Sequence, residues 1–109
     1  MSLERVRLGR TGLMVARLAM GCIPIQRLTL ADAADLLRRA VDAGVNFFDT
    51  AHVYGDSEEK LGHAFSGMPR DRLVIASKAM ANTREKAMSQ LEESLRRLKT
   101  DYIDLYQWH

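Results

Sequence analysis

Several things are scarce in this sequence, and each shortage narrows what the chain can be. A single cysteine, Cys22, among 109 residues excludes an internal disulfide framework and fits a reducing compartment. Residues Met1 to Arg10 are charged and lack the apolar run of a signal peptide, and no stretch reaches membrane-spanning length. The formal net charge is only +2, with Lys and Arg scattered and offset by nearby acids. Neither a basic stripe nor a recognition motif therefore points to nucleic acid. What remains is an ordinary globular composition, 47 % hydrophobic, which argues against disorder. At 109 residues the chain is one domain or part of a larger one, and no second domain is visible. The expectation is a cytoplasmic protein without membrane or nucleic-acid partners.

The chain alternates strands and helices. Gly9 and Gly12 bracket a turn between Val6-Arg7-Leu8 and Leu13-Met14-Val15, which predicts a β-hairpin. Leu18 to Gly21 reads as a brief buried strand, its last glycine permitting a close backbone approach. Thr29 opens a helix with Asp32 at capping-box spacing; Leu36, Leu37, Ala40 and Val41 form its apolar face, and Gly44 ends it. A β-rich run from Val45 to Thr50 follows. Asp56 and Ser57 open a second helix, with Asp56 and Glu59 at capping-box spacing and Leu61, Ala64 and Phe65 as the buried stripe. Leu73 to Lys78 is nearly all apolar until its end, as in a parallel strand covered on both faces. A third helix begins near Asn82, with Ala87, Leu91, Leu95 and Leu98 inward and Glu92–Arg96 as an i,i+4 pair. Tyr102 to Trp108 is the last strand. This order predicts a parallel α/β sheet with right-handed crossovers. Units of about thirty residues match an eighth of a TIM barrel's roughly 250. A doubly wound open sheet satisfies the alternation as well.

The polar residues at the strand ends are the informative ones. Apolar runs terminate in Asp49, Lys78 and His109, with Tyr54 a few residues beyond Asp49. In parallel α/β folds the C-terminal strand ends carry the chemistry. Each residue alone has a plain structural explanation: a turn cap, a solvated strand end, a packed loop aromatic, a residue without a role. Four of them at equivalent positions point to a site.

At these residues the sequence resembles the aldo-keto reductases. The resemblance rests on Leu8-Gly9-Arg10-Thr11-Gly12-Leu13, on Phe47-Phe48-Asp49-Thr50-Ala51 with Tyr54-Gly55 and Ser57-Glu58, and on Leu61-Gly62. It continues through Leu91-Glu92, Ser94-Leu95 and Arg97-Leu98 into Thr100-Asp101-Tyr102-Ile103-Asp104-Leu105-Tyr106 and His109. It implies a (β/α)8 TIM barrel, of which the chain covers the N-terminal hairpin and roughly the first three and a half βα units. It also implies carbonyl reduction with NADPH (NADP+) bound without a Rossmann fold, and no G-x-G-x-x-G motif is present. By that resemblance Tyr54 is the general acid toward a small carbonyl substrate. A free phenol titrates near 10, a poor match for proton transfer at neutral pH, and an adjacent ammonium favours the phenolate. Lys78 inherits that role, Asp49 holds and polarises Lys78, and His109 orients the substrate oxygen. Gly21, Asp49 and Tyr54 lie at the cofactor edge.

Departures are small. Ala19 and Met20 stand where Gly and Leu are frequent, Ser77 where Thr is common, and Trp108 is bulkier than the usual aliphatic residue. On strand alternation Trp108 points toward the helices. The later strands, whose loops supply most contacts to the cofactor in the family, are absent. The expectation is therefore a fragment whose open strand edges and apolar faces favour self-association. Two rivals stand beside the reductase reading. One is a metal-dependent hydrolase using Asp49, His52 and His109, which lacks a further ligand and leaves Lys78 idle. The other is a reductase-like regulatory or binding subunit, or a catalytically inactive fragment. His52 and His63 read as surface residues, and Cys22 as a small packed side chain.

Overall fold

The computed structural model describes residues 3–109. It begins with a two-stranded antiparallel hairpin, β1 (Arg5–Arg7) and β2 (Met14–Ala16), in which Val6 pairs with Val15. Gly12, at φ 76°, occupies the left-handed conformation that closes the turn and that a glycine adopts without steric cost. One buried side chain attaches the hairpin to the rest. Asn46 Oδ1 accepts from the Ala16 N–H at 2.7 Å, and Asn46 Nδ2 donates to the Met14 carbonyl at 3.0 Å.

Four parallel strands follow, β3 (Met20–Gly21), β4 (Phe47–Asp49), β5 (Val74–Ala79) and β6 (Leu105–Trp108), lying side by side in the order β3-β4-β5-β6. Three helices make the crossovers: α1 (Leu30–Asp42), α2 (Ser57–Ala64) and α3 (Arg84–Leu98). Spatial order follows sequence order without reversal. Phe48 and Ile75 from the strands pack in a single cluster with Leu37 of α1, Leu61 of α2 and Leu98 of α3. All three helices thus lie on one face, whereas a doubly wound sheet reverses its strand order and carries helices on both. The wall is that of a barrel.

Alternation fixes what each face carries. Phe48 and Phe65 pack at a tilt of 60° with ring centroids 4.8 Å apart on the helix side. Phe47 and Asp49, flanking Phe48, face the other way, and so do Val74, Ala76 and Lys78 on β5.

Helix starts follow side-chain chemistry, with some differences from expectation. Thr29 caps α1 as predicted, its hydroxyl accepting from the Asp32 N–H at 3.1 Å, and Gly44 leaves the helix at φ 105°. The buried face of α1 is Ala33, Ala34 and Leu37, while Leu36 is 42 % exposed. The Asp56–Glu59 capping box does not form. Asp56 instead accepts from Lys60 Nζ at 2.9 Å, and the same ammonium donates to the Ile25 and Gln26 carbonyls. A buried lysine, unremarked in the sequence, thus pins the β3–α1 connection to α2.

The third helix is capped by Thr83, which accepts from the Lys86 N–H, so it starts later than Asn82. Its i,i+4 ion pair is Glu93–Arg97 rather than Glu92–Arg96. Glu92 and Arg96 lie on the exposed side, while their successors turn toward α2. Leu98 is buried, but Ala87, Leu91 and Leu95 are only half-buried. β3 and β6 are shorter than predicted: Leu18 and Ala19 are exposed, and the chain bends at Asp101 and Asp104 before the β6 ladder begins at Leu105.

Candidate active site

Asp49 and Lys78 meet on the face of the sheet turned away from the helices. Lys78 Nζ donates to Asp49 Oδ1 at 3.0 Å, to Asp49 Oδ2 at 2.9 Å and to the Thr50 carbonyl at 2.8 Å. An ammonium has three protons, so all of them are engaged and the charge is held at one point. Lys78 is the better-buried partner, with 14 % of its side chain exposed against 41 % for Asp49. The carboxylate thus keeps an open side.

Tyr54 arrives by a loop rather than a strand. The chain leaves β4 through Thr50, whose N–H donates to the Ala76 carbonyl at 2.8 Å, and His52, whose N–H donates to the Lys78 carbonyl at 3.1 Å. It then turns, with the Tyr54 N–H donating to the Ala51 carbonyl at 3.1 Å and Gly55 at φ 53°. The turn sets the Tyr54 ring with its centroid 5.1 Å from Lys78 Nζ. His109 continues the ladder beyond β6, its N–H donating to the Ala79 carbonyl at 2.9 Å. Its imidazole stands edge-on to Tyr54, with centroids 5.6 Å apart at 88°. Asp49, Tyr54, Lys78 and His109 therefore converge at one end of the sheet, opposite the hairpin.

Gly21 pairs with Asp49 across the β3–β4 ladder, and a Cβ built on it meets nothing within 4 Å. Among the described residues no side chain requires a glycine there, and the edge beside the ion pair is open. Cys22 lies beneath, fully buried, its N–H donating to the Asp49 carbonyl at 2.9 Å. Burial, and then the Asp49 charge, push its thiol up to about 12. It is a neutral, packed group with no nucleophilic character at neutral pH.

His52 differs from the surface residue expected. Only 19 % of its side chain is exposed, and Nε2 lies 3.2 Å from Glu93 Oε1 on α3. Among the described residues, no group of three or more His, Cys, Asp or Glu side chains is placed to hold a metal ion. Asp49, His52 and His109, the three groups of the metal rival, form no such cluster. Trp108 pairs with Ala79, on the helix side as alternation required, but 66 % of it is exposed.

A second polar layer, which no spacing in the sequence indicates, lies between β5, α2 and α3. Glu58 is 1 % exposed and accepts from Ser77 Oγ at 2.8 Å, beside Lys78 in sequence. Arg97 faces Glu58, Glu59 and Glu93. The available signal was an acid and an arginine at positions whose neighbours face the core.

Residues 17–109 match the Aldo/keto reductase family model. The chain is 35 % identical to the 6-dehydroglucose reductase of Novosphingobium aromaticivorans, over 94 % of this chain and 40 % of that protein. It is 37 % identical to an Oryza sativa subsp. japonica protein named "Probable voltage-gated potassium channel subunit beta", over 94 % and 36 % respectively. Among solved structures it superimposes on the holo form of an aldo-keto reductase from Bacillus halodurans with a TM-score of 0.88 at 29 % identity, covering 98 % of this chain and 40 % of that one. The chain spans about two fifths of the length of these relatives. The fold is the hairpin and first βα units of a (β/α)8 barrel. With the family model matching most of its length, the chain belongs to the aldo/keto reductase family.

Proposed function

We propose that the protein reduces aldehydes or ketones to alcohols with NADPH, with Tyr54 as general acid, the chain being the N-terminal portion of a complete barrel. The observation that carries this reading is the Asp49–Lys78 ion pair beside the Tyr54 ring, with the His109 imidazole packed at a right angle to the same ring. The local residues fit a nicotinamide on this face. The Gly21 edge is open, and Asp49 keeps part of its carboxylate exposed next to it.

When bound, the reduced nicotinamide supplies the hydride that goes to the carbonyl carbon, while the carbonyl oxygen takes a proton and becomes the hydroxyl. Tyr54 holds that proton on its phenolic oxygen. Lys78 keeps a fixed positive charge near the ring, where negative charge develops as the proton is transferred. Asp49 and the Thr50 carbonyl hold that ammonium in place. His109, edge-on to Tyr54, stands where an imidazole N–H can donate to the substrate oxygen and orient it.

Incubating the protein with NADPH deuterated at nicotinamide C4 and benzaldehyde tests the reaction class. Deuterium in the benzyl alcohol supports direct transfer; none, with either face labelled, contradicts it. A second reading, a binding or regulatory subunit, is favoured by the 37 % identity to the rice protein named for a channel subunit beta. It predicts NADPH binding by fluorescence quenching without turnover.

A further inference from the structure

We infer that Arg97, near the end of α3, is a positioning residue that locks the loop carrying Tyr54 against the strand carrying Lys78. The inference rests on the reductase reading for its catalytic consequence, but not for the geometry. Arg97 NH1 donates to the His52 carbonyl at 3.3 Å and to Glu58 Oε1 at 3.4 Å, and NH2 pairs with Glu93. Nε lies 3.7 Å from Glu59. One planar guanidinium thus spans a loop carbonyl and carboxylates from two helices, which a lysine's compact charge cannot do at once.

Both ends of this clamp lead to the site. His52, two residues before Tyr54, is held three ways. Its N–H donates to the Lys78 carbonyl at 3.1 Å, its carbonyl accepts from Arg97, and its ring lies 3.2 Å from Glu93. Glu58, with its other oxygen, accepts from Ser77 Oγ, immediately before Lys78. A bare ion pair between α2 and α3 would need neither contact. The fully buried Glu58 carboxylate depends on Arg97 and Ser77 for compensation, so removing Arg97 alone leaves a charge without its partner.

Two variants separate positioning from folding: Arg97→Lys, which keeps the charge, and the Glu58→Gln/Arg97→Met pair, which removes both charges together. Amide hydrogen exchange and NADPH-dependent aldehyde reduction are measured on each, beside the unsubstituted protein and Tyr54→Phe. The expected result is exchange at His52 and Tyr54 faster by about tenfold or more with Phe48 in β4 unchanged, together with a kcat lowered by at least about tenfold and an unaltered Kd for NADPH. Equal acceleration at Phe48 would make Arg97 a general stabiliser and overturn the inference, as would an unchanged kcat in both variants. Turnover abolished in Tyr54→Phe upholds the reductase reading whichever way Arg97 behaves. Absence of turnover in the unsubstituted complete barrel refutes that reading, and the exchange pattern alone then decides whether Arg97 holds the loop.

Discussion

Lys78 is the residue on which the site turns, because its three protons are committed to two carboxylate oxygens and a carbonyl. Replacing it by methionine keeps the length of the side chain and removes the charge. Lys78→Met is expected to lower kcat by about 10²-fold or more, within the range of acid–base contributions, with NADPH affinity little changed; steady-state kinetics and cofactor titration check both parts. Cys22 supplies a prediction of opposite character. Its folded thiol stands at about 12, above the 9.0 of a free cysteine, so its contribution to stability is complete below pH 9. Above that, the unfolded chain ionises first and stability falls as pH rises toward 12. Urea unfolding at pH 8 to 11 should show this decline flattened in Cys22→Ala, and native Cys22 should resist iodoacetamide until the chain is unfolded. Residues at the strand ends were legible because polar groups closing apolar runs stand out. His52, Glu58 and Arg97 were not, since their partners lie on other elements and no spacing rule relates them.

At the scale of elements, the closeness of α2 and α3 positions the second polar layer. A Cβ on Gly62 would lie 2.3 Å from the Arg97 carbonyl, and backbone cannot yield as a flexible side chain does. Gly62→Ala is expected to destabilise by about 1–3 kcal/mol through overpacking, despite alanine's better helix propensity. Thermal unfolding checks this. A stabilised variant would show that the helices are free to separate. Thr83→Ala should cost about 1 kcal/mol by removing the α3 cap. Helices α1, α2 and α3 were all predicted from their periodicity, and Thr29 was identified as a cap. The Asp56–Glu59 box failed because Lys60, buried at 3 %, takes the Asp56 carboxylate. Leu36 was misplaced because α1 is covered on only one side, so a narrower stripe of Ala33, Ala34 and Leu37 suffices.

At the scale of the molecule, consecutive strand order with helices on one face distinguishes a barrel wall from an open doubly wound sheet, a choice that alternation alone left open. The sheet ends at β3 and β6, and Trp108 of β6, Tyr102 just before it and Met88 of α3 are exposed. As a free-standing 109-residue polypeptide it is expected to associate, eluting above 12.3 kDa in gel filtration and increasingly so with concentration. A concentration-independent monomer would show that these surfaces are tolerated in water. The most direct measurement is NADPH oxidation with an aromatic aldehyde by the protein and by its Tyr54→Phe variant. Turnover that falls by about 10²–10⁴-fold in the variant, with NADPH still bound, is the predicted result; equal turnover in both would contradict Tyr54 as the proton donor.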